Sequence, residues 1–105
     1  MLLGGCGLNH IDRSWNLANL VYWVRTSQTR KGIATRATRL LARFGCEVLE
    51  LDRIEIVVAV GNEPSLRVAQ KAGARREGVL RNRLHINGIG VEAVMHSLIP
   101  ADFRI

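Results

Sequence analysis

Apolar and polar positions along the chain switch between a period of two and a helical period, and the switches mark seven elements. Residues 2–10 (LLGGCGLNH) predict a first strand, whose glycines mark a bulge or a close backbone approach. Asp12, Arg13 and Ser14 predict a turn, and residues 18–25 (ANLVYWVR) a second strand rich in aromatic and β-branched side chains. Residues 26–31 (TSQTRK) are polar and basic with no apolar anchor, so they predict a loop. A helix is expected from about Gly32 to Glu50, with Ile33, Ala37, Leu40, Leu41, Phe44 and Val48 as its apolar stripe and Arg36, Arg39 and Arg43 together on the other face, expected to be solvated.

The second half of the chain is punctuated more sharply. Residues 53–60 (RIEIVVAV) predict a buried strand. Asn62 is a good N-cap and Pro64 fits a first helical turn, so a second helix runs to about Ala72 and stops at Gly73. Residues 76–86 and 90–99 predict two strands joined at Asn87-Gly88, a strong hairpin signal. The order β-β-α-β-α-β-β gives a mixed α/β chain, α+β with a mixed sheet. Its 105 residues, without repeats or linkers, predict a single domain over 1–105.

Composition narrows the partners. Fifteen Lys and Arg against nine Asp and Glu give a formal charge of +6, which favours something anionic without choosing it. Aromatic residues make up 5% of the chain and no RNP-type motif or recognition-helix pattern is present, which disfavours nucleic acid. Cys6 and Cys46 form no CxxC pattern and His10, His85 and His96 are scattered, so no metal site and no disulfide scaffold is expected. Two lone cysteines fit a reducing, cytoplasmic setting, and no apolar run has membrane-spanning length. Trp15, Tyr22 and Trp23 are expected to pack, and His85 and His96 to face solvent.

One segment carries candidate chemistry. A helix N-terminus offers free N–H groups and the positive end of its dipole. At the start of the first helix Gly32 has no side chain and Ala34 almost none, while Arg30 and Lys31 add full charges. That combination reads as a phosphate cradle or, equally, as an ordinary strand-to-helix turn with solvated basic residues. Neither GxxxxGK[ST] nor GxGxxG is present.

Tyr22-Trp23-Val24, the loop TRKGIAT at 29–35, Asn62-Glu63-Pro64-Ser65 and Lys71-Ala72-Gly73 occur in that order. With Arg76-Glu77-Gly78 and the Asn87-Gly88 hairpin, this set resembles the GNAT superfamily of N-acetyltransferases, in its ribosomal-protein alanine/serine acetyltransferase-like branch. The family loop is Q/R-x-x-G-x-G/A, which Gly32 and Ala34 match, with Thr29 at the leading position. The resemblance implies a partial GNAT fold that starts inside the family pattern, lacking its usual N-terminal strand and helices, and leaves residues 2–10 as an open sheet edge. From that edge a homodimer is expected.

The resemblance also implies acetyl-CoA as cosubstrate, lying where strands 18–25 and 53–60 splay apart. Its pantetheine arm pairs with the backbone near Val24 and Thr26. Its phosphates meet Thr29, Arg30, Lys31, Gly32, Ile33, Ala34 and Thr35, and Asn62 and Ser65 border the site. A primary amine, on a protein N-terminus or a small molecule, attacks the thioester directly. Ser65 takes the position of the acid, although serine is also an ordinary first-turn residue. Asn19 stands where the family carries a glutamate base, and an amide takes up no proton near neutral pH. The readings open at this point are an N-acetyltransferase, a non-catalytic acetyl-CoA-binding relic and, third, a basic nucleic-acid-binding module.

Overall fold

The computed structural model describes the backbone of residues 4–24 and 28–104, and the side chains of residues 6–22 and 32–104. Strands β1 (Gly4–Asp12) and β2 (Leu17–Val24) lead into helix α1 (Gln28–Glu47). Strand β3 (Arg53–Ala59), helix α2 (Glu63–Lys71) and strands β4 (Arg75–Ile86) and β5 (Ile89–Leu98) follow. A short 3₁₀ turn at Pro100–Phe103 closes the chain. The sheet order is β1-β2-β3-β5-β4, with β2 and β3 parallel and the other neighbours antiparallel. The seven main elements have the predicted types and order, and β1 lies at the sheet edge.

Alternation explains which face is covered. Along β3, Ile54, Ile56 and Val58 are buried while their neighbours are only partly so. They meet Ala18 and Leu20 from β2, Ala42 and Cys46 from α1, Ala69 from α2 and Leu98 from β5. Arg53, Glu55 and Val57 therefore turn to the sheet face away from the helices, as does Asn19 on β2.

Helix α1 departs from its expected form in two ways. It begins at Gln28, so Thr29, Arg30 and Lys31 stand in its first turn and not in a loop. Its buried face is also a different one. Ile33, Leu40 and Val48 are 56%, 62% and 63% exposed, and Phe44 is exposed too. Thr38, Ala42, Gly45 and Cys46 face the sheet, with Leu41 and Leu49 partly buried beside them. Small residues win because the helix lies close to the sheet: a Cβ on Gly45 would stand 2.9 Å from Ile54 Cδ1.

The ends of the second helix follow the sequence reading. Asn62 Oδ1 accepts the Ser65 N–H at 3.4 Å, and Pro64 lies in the first turn. Gly73 takes φ +90 and closes the helix, with Gly73 N–H to Gln70 O at 3.0 Å and Ala74 N–H to Ala69 O at 3.1 Å. Asn87 and Gly88 carry φ 50 and φ 80, the left-handed pair a tight hairpin requires.

Three single-residue expectations are overturned. Trp15 is 77% exposed, because it sits at the tip of the β1–β2 turn, where Asp12 Oδ1 accepts its N–H at 3.2 Å. His96 is 3% exposed, because it is paired with Ile56 inside the β3–β5 ladder. Arg39 does not lie free on a solvated face. It donates to Ala72 O at 2.8 Å and to Asp102 O at 3.1 Å, and its guanidinium lies 4.9 Å from the Phe103 ring centre.

Candidate functional site

The site is built by two strands that start together and part. The parallel ladder of β2 and β3 contains Leu17–Arg53, Ala18–Ile54 and Asn19–Glu55, and there it ends. Both strands continue, β2 to Val24 and β3 to Ala59. Their outer edges remain paired, β2 with β1 and β3 with β5, so the edges facing each other past the Asn19–Glu55 rung carry N–H and C=O groups without a strand partner among the described residues.

The closed end of this V is tied shut. Arg13 Nη1 donates to Leu49 O at 2.7 Å, Asn16 Nδ2 donates to Glu50 O at 2.8 Å, and Asp52 N–H donates to Asn16 O at 2.8 Å. These bonds join the β1–β2 turn to the segment entering β3, so the strands diverge in one direction only.

A cleft of about 200 Å³ opens at the splay. Leu20 and Val21 line one wall, Ile56 to Ala59 the other, with Asn62 and Ser65 from the start of α2 and Leu84 and Ile86 from β4. The Tyr22 hydroxyl donates to Ser65 O at 2.5 Å and so fixes α2 against β2. Burial raises the Tyr22 phenol well above its ordinary value, so it remains a donor. The structure thus brings Asn62 and Ser65 into the lining of the cleft that opens past the Asn19–Glu55 rung. Asn62 spends its oxygen on capping, and the Ser65 backbone carries that cap and the Tyr22 contact.

The basic segment lies elsewhere on the surface. A groove of about 530 Å³ runs between α1 and the C-terminal end of α2, lined by Gly32, Thr35, Arg36, Arg39, Leu40, Arg43, Lys71 and Phe103. A Cβ on Gly32 would meet nothing within 4 Å, so the glycine opens onto free space. With α1 starting at Gln28, the free N–H groups of its first turn belong to residues up to Lys31. Thr29, Arg30 and Lys31 thus lie in the first turn of α1, and Gly32 follows them facing open space. Ile33 and Ala34 follow in the second turn, Ile33 exposed and Ala34 partly buried. Val24 is the last residue of β2, and Thr26 lies outside the described residues, as do the side chains of Trp23, Val24, Thr29, Arg30 and Lys31.

On the sheet face away from the helices the sequence reading missed a polar network. Arg53 Nε donates to Glu55 Oε2 at 2.8 Å, Arg53 Nη1 and Nη2 donate to both oxygens of Glu77, and Ser97 Oγ donates to Glu77 Oε2 at 2.9 Å. The Arg53 guanidinium holds the Glu77 carboxyl down at about 2, well below the usual carboxylate range. Glu77 in turn holds the Arg53 charge firmly in place. The signal lay in the alternation of RIEIVVA, which places Arg53 and Glu55 on one face.

This V-shaped opening can be set beside known proteins. Residues 1–75 match the family model described as "Acetyltransferase (GNAT) domain". A Bacillus subtilis (strain 168) protein, provisionally named a ribosomal N-acetyltransferase, YdaF, is 36% identical over 103 residues, which are 98% of this chain and 56% of that one. Mycobacterium smegmatis RimJ, solved with CoA-disulfide, superposes with a TM-score of 0.88 at 26% identity, covering 100% of this chain and 51% of its own. The microcin C7 self-immunity acetyltransferase MccE, solved with acetyl-CoA and AMP, gives 0.82 at 28% identity, covering 93% and 54%. The chain spans about half the length of these relatives. With residues 1 to 75 of its 105 matching that family model, the chain belongs to the GNAT family.

Proposed function

We propose that the chain binds acetyl-CoA and passes its acetyl group to a primary amine, of the kind carried by the N-terminus of a ribosomal protein. The observation that carries this reading is the divergence of β2 and β3 past Asn19–Glu55, which leaves two unpaired strand edges around a narrow cleft. An extended, amide-bearing pantetheine arm satisfies such edges as an added strand does, and the backbone near Val24 and Thr26 receives it. A backbone N–H at that end of β2 meets the thioester carbonyl. The phosphates lie against the first turns of α1, over Thr29, Arg30, Lys31, Gly32, Ile33, Ala34 and Thr35, where helix dipole and basic charge favour anions. Acetyl-CoA supplies the activated acetyl thioester. Asn62 holds the start of α2 in place, and Ser65 presents its hydroxyl as the acid for the departing thiolate.

The same reading sets the chain in the cytoplasm, where the free thiols of Cys6 and Cys46 stay reduced. It also pairs two copies along the edge of β1. Light scattering at micromolar concentration tests the pairing, and a single monomer mass refutes it.

Thermal unfolding tests the cofactor. At a hundredfold excess over Kd a ligand of the folded state adds about 2.7 kcal/mol. For a domain of this size that raises Tm by about 10 °C. Gly32→Glu, which places an anion in the cradle, should abolish the rise. No rise for the wild-type chain at saturating acetyl-CoA refutes the reading. Amine-dependent thiol release, measured with an unblocked Ala or Ser peptide and with spermidine, then separates an enzyme from a binding relic.

A further inference from the structure

The last rung of the β2–β3 ladder belongs to a polar row that crosses the sheet. Asn9 on β1 partners Asn19 on β2, Asn19 partners Glu55 on β3, Glu55 partners Ser97 on β5, and Ser97 partners Arg75 on β4. The row stands at the apex of the V, where the strands part. Two features mark it as more than a solvated stripe. Asn19 Nδ2 donates to Asn9 Oδ1 at 3.2 Å, while Asn19 Oδ1 is buried with no hydrogen-bond partner among the described residues. An orphaned acceptor beside a carboxylate is a place for a donor carrying several protons.

The two carboxylates near the apex are held unequally. Glu77 receives both guanidinium nitrogens and the Ser97 hydroxyl, and Arg53 keeps its carboxyl near 2. Glu55 accepts from Arg53 Nε through Oε2 only, and no bond to Oε1 is present among the described residues. Arg53 and Arg75 balance the two carboxylates in charge, but of the two arginines only Arg53 bonds to Glu55 among the described residues, and through one oxygen. Asn19 itself takes up no proton. Adjacent strands lie only about 4.8 Å apart, so a glutamate one rung across reaches the space in front of Asn19.

We infer that Glu55 is the proton acceptor for the attacking amine, with Asn19 Oδ1 orienting its ammonium group at the apex of the cleft. This rests on the acetyl-transfer reading. An N–H bond of the ammonium breaks and an O–H bond forms on Glu55. The lone pair so freed forms the N–C bond to the acetyl carbon as the C–S bond breaks. The departing thiolate takes the Ser65 hydroxyl proton, the second amine proton replaces it on Ser65, and Glu55 returns its own to water. The products are the amide, the free thiol and one released proton.

The charged groups facing Glu55 are Arg53 on its own strand and, from β4, Glu77 and Arg75. Asn19 on β2 and Ser97 on β5 are neutral. A base held at the apex takes the substrate as its ammonium, so kcat/KM is level over about pH 6 to 7.5, where a peptide α-amine, ordinarily near 8, still carries its proton. A reaction left to the free amine rises tenfold per pH unit over the same range.

Three measurements on the full chain test the assignment: Kd for CoA by calorimetry, kcat/KM for acetyl-CoA with an unblocked Ala peptide or spermidine, and the pH profile of that rate. Glu55→Gln should leave the CoA Kd within twofold, lower kcat/KM by about 10²–10⁴-fold and turn the level profile into the rising one. The double variant Asn19→Glu with Glu55→Gln returns a carboxylate from the neighbouring rung and should restore the level profile. A Glu55→Gln variant with wild-type rate and profile overturns the assignment. So does a wild type that binds CoA yet releases no thiol with either amine. Failure of the wild type to bind CoA overturns the acetyl-CoA reading itself.

Discussion

Arg39 is the arginine of the α1 triplet whose environment departs most from a solvated helix face, and replacing it tests that assignment. It crosses from α1 to two other elements, satisfying the Ala72 carbonyl at the end of α2 and the Asp102 carbonyl in the 3₁₀ turn, and stacking on Phe103. Ala72 is fully buried, so water has poor access to replace the lost donor, which costs about 1–3 kcal/mol. The Asp102 contact is exposed and water replaces it at little cost. The cation–π contact adds about 0.5–1 kcal/mol. Arg39→Ala should therefore lose about 2–3 kcal/mol, read as a fall in Tm of about 10 °C. Arg39→Lys keeps the aliphatic stem and the charge but not the fork that reaches both carbonyls, and should fall between. A double-mutant cycle with Phe103→Leu should return a coupling of about 0.5–1 kcal/mol. The assay is reversible urea or thermal unfolding followed by far-UV circular dichroism. Arg36→Ala is the control, since that side chain is exposed. If Arg39→Ala lies within about 0.5 kcal/mol of wild type, as an ordinary surface change does, the bridging role is refuted.

Three further outcomes are expected. Thr38 is fully buried and its hydroxyl has no partner among the described residues, so Thr38→Val should raise stability by about 1 kcal/mol; a lower Tm contradicts this. Gly73 takes φ +90 and a Cβ there would stand 2.7 Å from Arg39 Nη1, so Gly73→Ala should cost about 1–2 kcal/mol for the backbone plus the displaced arginine. That second part should vanish in an Arg39→Ala background, and strict additivity of the two changes refutes it. Burial lowers the His96 value below 6.5, so the folded state favours the neutral ring. The associated stability is complete above 6.5 and is lost as pH falls below it, at no more than about 1.4 kcal/mol per pH unit. Glu77, held near 2 against an ordinary 4.5, adds a second loss between those values. Denaturant midpoints at pH 7.5, 5.5 and 3.5 read both steps, and His96→Asn should flatten the first; an unchanged first step refutes the role of His96.

Local chemistry made most elements legible. Asn62, Pro64 and Gly73 each act within one helical turn, and Asn87-Gly88 acts within one hairpin, so their signals survive whatever surrounds them. The strand type of RIEIVVA was equally local. The face of α1 was not, because two stripes of helical spacing coexist in the same twenty residues. Hydrophobicity favours Ile33, Leu40, Phe44 and Val48, whereas close approach to the sheet favours Thr38, Ala42, Gly45 and Cys46. The approach distance is set by β1, β2 and β3 together, and no window within the helix contains it. His96 misled for the same reason, since its burial depends on the partner strand and not on its own neighbours.

The site divides along the same line. Asn62 and Ser65 were legible as a helix start, the family resemblance set that start beside the cofactor, and both residues line the cleft. Glu55 was not, because what distinguishes it is register. A glutamate in a strand acquires a role only when it falls on the final rung of a parallel ladder, opposite an asparagine with an unpaired oxygen. A slip of one residue in β3 would turn Glu55 toward the helices and Ile54 toward the apex, burying a charge and exposing a core side chain. The buried alternation of Ile54, Ile56 and Val58 therefore does more than stabilise the sheet. It holds the register that sets a carboxylate at the point where the strands part, and so packing on one face determines the chemistry available on the other.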